Sequence, residues 1–401
     1  MAEPTATAAR PLGSAEVDEL RSLTPGADNQ IHLNHAGASL PTQATLDTQL
    51  QHLQLEGMIG GYEAADATLA RRHAVHQSIG DLIGAKAHEI ARLEHATAAW
   101  NAAFWAVPMQ PGQRIITANA AYGANAVGFL RAVERHRVTI DVIANDEHGQ
   151  VDTAELANRM DDDVALVALT HVPTNGGLVN PAAAVGKIAN DAGVPYLLDA
   201  CQSIGQLNVD VNEIGCDLLS ATGRKYLRGP RGTGFLYAAD RIVDRLVTDH
   251  PDHHGADWTD VDTYELQPTA QRFESWEFAH ANWLGLGTAV DEAAAIGTDR
   301  IEATVADRAE SLRTRLKDNG FTVWDLGEHR CGIVTATGPN LDPMTAKATL
   351  RDRGVNISVT TPASTRYDAA TRDLPDLMRL SVHYLTTETE LAEAVSTLSS
   401  L

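Results

Sequence analysis

Lys225 and Asp199 have the types and spacing to do chemistry together. Lys225 stands among small residues in Ser220-Ala221-Thr222-Gly223-Arg224-Lys225, directly after a mainly apolar stretch, 216–219. A lysine amine condenses with a carbonyl to give a Schiff base. A glycine-rich turn with two arginines follows, Arg228-Gly229-Pro230-Arg231-Gly232-Thr233-Gly234. Upstream, the apolar run 194–198 ends in Asp199-Ala200-Cys201-Gln202-Ser203. Taken singly, a lysine beside glycines is an ordinary turn residue, and an aspartate after a strand is an ordinary helix cap. Together and in this order they suit pyridoxal 5′-phosphate, with Lys225 for the Schiff base and Asp199 for the pyridinium nitrogen.

These groups need a rigid sheet behind them. Runs at 90–94, 114–117, 139–143 and 164–170 read as strands, the last continuously apolar as in a strand buried on both faces. Helices are predicted at 153–160, capped by Asp152, and at 181–192. Alternation of strand and helix, with ligand groups at strand ends, is the pattern of an open parallel sheet. Two amphipathic helices, 42–57 and 65–84, precede it, broken at Gly60-Gly61-Tyr62. The strand at 90–94 runs into His95-Ala96-Thr97-Ala98-Ala99-Trp100-Asn101, which opens a helix. Small residues there expose backbone N–H groups and make a ready phosphate site at Ala96, Thr97 and Ala98. The plainer alternative is Thr97 as an ordinary N-cap.

The chain is acidic, with a formal charge of −22, which argues against a nucleic-acid partner. Three cysteines without a CxxC pair give neither a disulfide framework nor a zinc site, so a reducing cytoplasm is the expected compartment. Residues 1–30 form neither a signal peptide nor a membrane span and are expected as a mobile arm. The Asp- and His-rich stretch 250–270 matches no metal motif, so no metal is expected.

His171-Val172-Pro173, Asp199-Ala-Cys-Gln-Ser203, Thr222-Gly-Arg-Lys225, Arg228-Gly-Pro-Arg-Gly-Thr-Gly234 and Arg379-Leu-Ser-Val together resemble the class V aminotransferases of the cysteine desulfurase-like group. These are fold-type-I pyridoxal phosphate enzymes. The resemblance implies an α/β fold. A large domain, 31–289, carries a mostly parallel sheet of the seven-stranded type flanked by helices. A smaller α+β domain, 290–401, is joined by the ordered part of the N-terminal segment. It also implies a homodimer with each site at the subunit interface and a small amino acid as substrate.

By the same resemblance, Ala96, Thr97, Ala98, Thr222 and Arg224 bind the cofactor phosphate, with Arg224 in place of the usual histidine. Gln202 meets the phenolic oxygen, with Thr174 or Asn175 beside it. Tyr122 stacks on the ring where relatives often carry histidine. Trp276, or Ser275, reaches the partner's cofactor. Arg379 clamps the substrate carboxylate, a task for a planar guanidinium. Asn34 and His35 line the pocket or merely cap their turn. Lys225 is the base and acid at Cα, and Tyr122 is a second, weaker candidate.

The reaction is less legible. Desulfurases of this group carry a nucleophilic cysteine on a small-domain loop. The matching stretch here, 359–366, has none. The expected chemistry is therefore β-elimination from an S-substituted cysteine, with no enzyme persulfide. Transamination, decarboxylation-linked oxidative deamination and Cα epimerisation are the alternatives. A binding-only regulator is the non-enzyme alternative, though no added DNA-binding module is visible.

Overall fold

The computed structural model describes residues 9–401. A seven-stranded sheet runs in the order 90–93, 234–238, 218–222, 196–199, 164–170, 114–118, 139–143. Gly234–Ala238 is antiparallel to both neighbours, and the remaining pairs are parallel. Every residue of Val164–Thr170, Tyr196–Asp199 and Leu218–Thr222 is buried. Such continuous apolar strands need cover on both faces, which parallel crossover helices provide. The expected α/β architecture and strand-rich core are therefore present.

The smaller domain is built on an antiparallel sheet ordered 322–323, 333–337, 377–381, 358–360. Ile31–His32 pairs in parallel with Val355–Asn356, and Asn34 bridges to Ser381. The ordered start of the chain thus belongs structurally with the smaller domain, although its numbers fall in the 31–289 span.

Two of the expected boundaries meet regular structure. The division at 289/290 falls inside the helix His280–Ile296, which packs on the helices Gln43–Ile59 and Leu69–Ile83 of the large domain. The expected arm is also partly structured. Residues 1–8 lie outside the described residues, but Ser14–Ser22 is a helix. Leu12 and Val17 are buried, and Arg21 donates to the Leu385 carbonyl and Glu390. Each buried aliphatic side chain contributes roughly 1.5–3 kcal/mol, enough to hold a short segment whose composition looks unpatterned. The break between the first large-domain helices falls at Gly60, whose φ of 103° suits only glycine.

Candidate active site

The carboxyl ends of the parallel strands open onto a cavity of about 370 Å³. Register brings its two central groups to the same end, because Asp199 pairs with Ser220 in the neighbouring strand. Asp199 is buried and accepts hydrogen bonds from Asn125 Nδ2 at 2.7 Å and the Cys201 amide at 3.0 Å. Burial pushes its carboxyl above the ordinary range, while these donors and Lys225 pull it back. Lys225 is also buried. Desolvation pushes its amine below the ordinary lysine value; the Cys201 thiol, hydrogen-bonded to it, opposes, and the Arg224 and Arg379 charges add to the lowering. A lysine so placed gives up its proton more readily than one in water, as a base at Cα requires.

The helix Ala96–Ala106 points its N-terminus at the cavity, with Ala96 and Thr97 in the wall. Its cap is His95, whose Nδ1 accepts from the Ala98 amide at 3.0 Å. Thr97 is therefore not the cap, and the Ala98 amide is already engaged. The first N–H groups of a helix have no intrahelical partner, so those of Ala96 and Thr97 are the donors left. Thr222 and Arg224 line the same cavity. The Thr222 hydroxyl donates to the Thr233 carbonyl at 3.0 Å, and Arg224 donates to the Gly37 carbonyl.

Tyr122 precedes the helix Gly123–His136 and lines the cavity, half-exposed. Burial raises its phenol, so at neutral pH it keeps its proton and serves as a ring surface or acid rather than a base. Gln202 is buried, donates to the Ala36 carbonyl and Thr174, and leaves Oε1 without a partner. Arg379 stands on Leu377–Ser381 and reaches Thr174 Oγ1 at 2.6 Å and Asn34 Oδ1 at 3.4 Å. Its Nε is buried without a partner, so the guanidinium retains unused donor capacity beside the cavity wall.

His35, Asn175 and Trp276 do not line this cavity. His35 is buried against His383, rings stacked with centroids 4.6 Å apart, and its Nδ1 meets Ser39 Oγ at 2.9 Å. It is a packing residue at the junction of the domains. Asn175 faces the small-domain loop, accepting from Thr360 Oγ1 at 2.6 Å and bonding Ser364. Its neighbour Thr174 lines the cavity. Trp276 is exposed, stacks near His253 and lines a separate groove of about 1120 Å³. Within one chain it is not at the cavity.

Asn125 and Cys201 are additional. Asn125 sits one helical turn after Tyr122 and orients Asp199. Cys201 lines the cavity beside Lys225, and burial raises its thiol. Arg228 is structural: in a left-handed conformation with φ of 64°, it bonds the Leu40 carbonyl, Tyr384 and Thr24. Among the described residues no cluster of His, Cys, Asp and Glu could hold a metal, and no helix is long and apolar enough to cross a membrane.

A doubly wound sheet with a strand-end aspartate, a buried lysine on the next strand's turn and a helix N-terminus aimed at the same cavity defines a cofactor-dependent enzyme site. The class-V aminotransferase family model matches residues 31–393, and the chain belongs to that family of pyridoxal phosphate enzymes. It is 26% identical over 394 residues to a probable cysteine desulfurase of Methanothermobacter thermautotrophicus, covering 96% of this chain and 98% of that protein. It is 28% identical over 387 residues to a probable hercynylcysteine sulfoxide lyase of Mycobacterium tuberculosis, covering 95% and 92%. The fold matches the apo cysteine desulfurase of Thermococcus onnurineus with a TM-score of 0.89 at 20% identity, over 96% of this chain and 97% of that one. The residues present fit the cofactor. Asp199 offers a buried carboxylate, Lys225 a desolvated amine, and the helix at Ala96 free N–H groups.

Proposed function

We propose that this enzyme is a C–S β-lyase acting on an S-substituted cysteine without forming a persulfide on its own chain. The observation that carries this reading is the state of its cysteines. The small-domain loop 359–366 holds none and is pinned to Asn175 through Thr360 and Ser364. Cys216 and Cys331 are fully buried, with the Cys331 thiol pushed up to about 12. Cys201 is protonated by its own burial. A thiol is a poor nucleophile compared with its thiolate, so none of the three is suited to attack sulfur. The sulfoxide lyase relative, similar along nearly the whole chain, supports the same choice.

When bound, pyridoxal phosphate supplies an electron sink for charge developing at Cα. Arg379 holds the substrate carboxylate, exchanging its bonds to Thr174 and Asn34 for two parallel ones. The Lys225 amine takes the Cα proton. The Cβ–S electron pair leaves with sulfur, which is released as a thiol after protonation. The remaining 2-aminoacrylate hydrolyses to pyruvate and ammonia. Mass-spectrometric product analysis with cysteine, several S-substituted cysteines and a small amino-acid panel tests this. Pyruvate with a free thiol is expected. A keto acid that keeps its sulfur, or an inverted amino acid, would replace lysis by transamination or epimerisation.

We also propose a homodimer formed through the face that bears the Trp276 groove. Leu53, Tyr62 and Leu69, which line that groove, are exposed large hydrophobics, more than scattered singletons. Trp276 then contributes to the neighbouring subunit's site. Light scattering should give twice the 42.9 kDa chain mass, and a monomer at working concentration would remove this part.

A further inference from the structure

We propose that Arg231 is a second arginine of the cofactor's phosphate site, sharing the dianion with Arg224. The inference starts from charge. A phosphate monoester carries roughly −1.5 to −2 at neutral pH. The ionisable cavity lining comprises His95, Tyr122, Asp199, Cys201, Arg224, Lys225 and Arg231. Asp199 is committed to the ring nitrogen. Lys225 is committed to the covalent link. Arg379 is engaged by Thr174 and Asn34 and is kept for the substrate carboxylate. That leaves Arg224 and Arg231 to face the phosphate, and Arg224 already spends one nitrogen on the Gly37 carbonyl.

Geometry brings Arg231 to the same place. Its loop leads into Gly234–Ala238, where Gly234 pairs with Leu93 on the strand that enters the phosphate helix. The loop passes so close to the helix start that a Cβ on Gly234 would lie 2.6 Å from the His95 carbonyl carbon. Thr233, two residues on, receives the Thr222 hydroxyl through its carbonyl. Helix N-terminus, Thr222 and Arg231 therefore converge. The loop is also rigid: Asn282 Nδ2 holds the Arg231 carbonyl at 3.1 Å, the Thr233 hydroxyl holds the Pro230 carbonyl at 2.6 Å, and Arg228 is anchored as described. The Arg231 side chain makes no ion pair or hydrogen bond among the described residues, so its fork is free for an anion. A guanidinium binds phosphate through parallel bonds that a hydroxyl or a lone amide cannot supply.

The test is cofactor affinity. Apoenzyme made by stripping the holoenzyme is titrated with pyridoxal 5′-phosphate, followed by absorbance and tryptophan fluorescence. Losing one charge-assisted contact should raise the dissociation constant of Arg231→Gln by roughly tenfold to a hundredfold. Arg224→Gln should show a comparable rise. Inorganic phosphate should compete less well for the Arg231→Gln apoenzyme, and the ³¹P resonance of its bound cofactor should shift. Because the side chain is exposed and unpaired, melting of the apoprotein should stay within about 2 °C of the parent. An unchanged dissociation constant in Arg231→Gln, with the loss confined to Arg224→Gln, overturns the proposal. So does a raised KM for the amino acid with unaltered cofactor affinity, which would make Arg231 a reader of the substrate.

Discussion

Lys225→Ala is expected to abolish turnover, lowering kcat by roughly 10⁴-fold or more, and to remove the long-wavelength absorbance of the lysine-bound cofactor. Two losses coincide. The covalent anchor disappears, and so does the group that moves the Cα proton. The surroundings cannot replace it. Tyr122 keeps its proton because burial raises its phenol, and the Cys201 thiol is raised likewise. The change should also relieve the desolvation that lowers the amine, so the fold should survive. Absorbance spectra and steady-state kinetics on the refolding-competent variant check this. A Lys225→Ala enzyme with near-normal turnover would refute both the assigned lysine and the chemistry built on it.

Asp199→Asn should lower kcat by roughly 10²–10³-fold while leaving the cofactor bound, the scale seen when one aligned electrostatic group is removed. The amide fits the space. Its oxygen can still accept from the Cys201 amide, and Asn125 can turn its own amide to match the new NH₂. Only the negative charge is lost, and with it the hold on a protonated ring nitrogen. Stability should move the other way. Burial raises the folded-state value of Asp199, so the carboxyl favours folding below its unfolded value and opposes it as pH rises through the folded one. At neutral pH the Asn variant's apoprotein should melt no lower than the parent. Equal loss of cofactor and of melting temperature would mean that Asp199 is a structural residue.

Asp199 and Lys225 stood out because each follows a mainly apolar stretch, and a parallel sheet brings the ends of such strands together. The helix start at Ala96 was legible from its small residues, but its cap was not: His95 takes that role through a ring nitrogen, outside the usual Ser, Thr, Asp and Asn preference. What escaped depends on contacts distant in sequence. His35 is turned inward by His383, 348 residues away, which no local pattern records. Asn175 and Thr174 differ by one residue, and a one-residue step in an extended loop reverses the side chain. Asn125 was one helical turn from a named residue, yet its partner Asp199 lies 74 positions on. The helix Ser14–Ser22 carries too little apolar residue to announce itself and is held by Val17 and the reach of Arg21.

Arg224 and Arg231 line the cavity of a chain of net charge −22. An arriving dianion therefore crosses a repulsive exterior before it meets an attractive interior. The two fields have different ranges. Repulsion from exposed carboxylates is screened beyond about 8–10 Å at ordinary ionic strength, whereas contacts within the cavity are screened much less. Added salt should then speed capture of the cofactor while altering its retention little, the reverse of the usual slowing for oppositely charged partners. The same envelope should slow the approach of other polyanions as well, so the acidic surface is expected to act as a kinetic filter in front of the cavity.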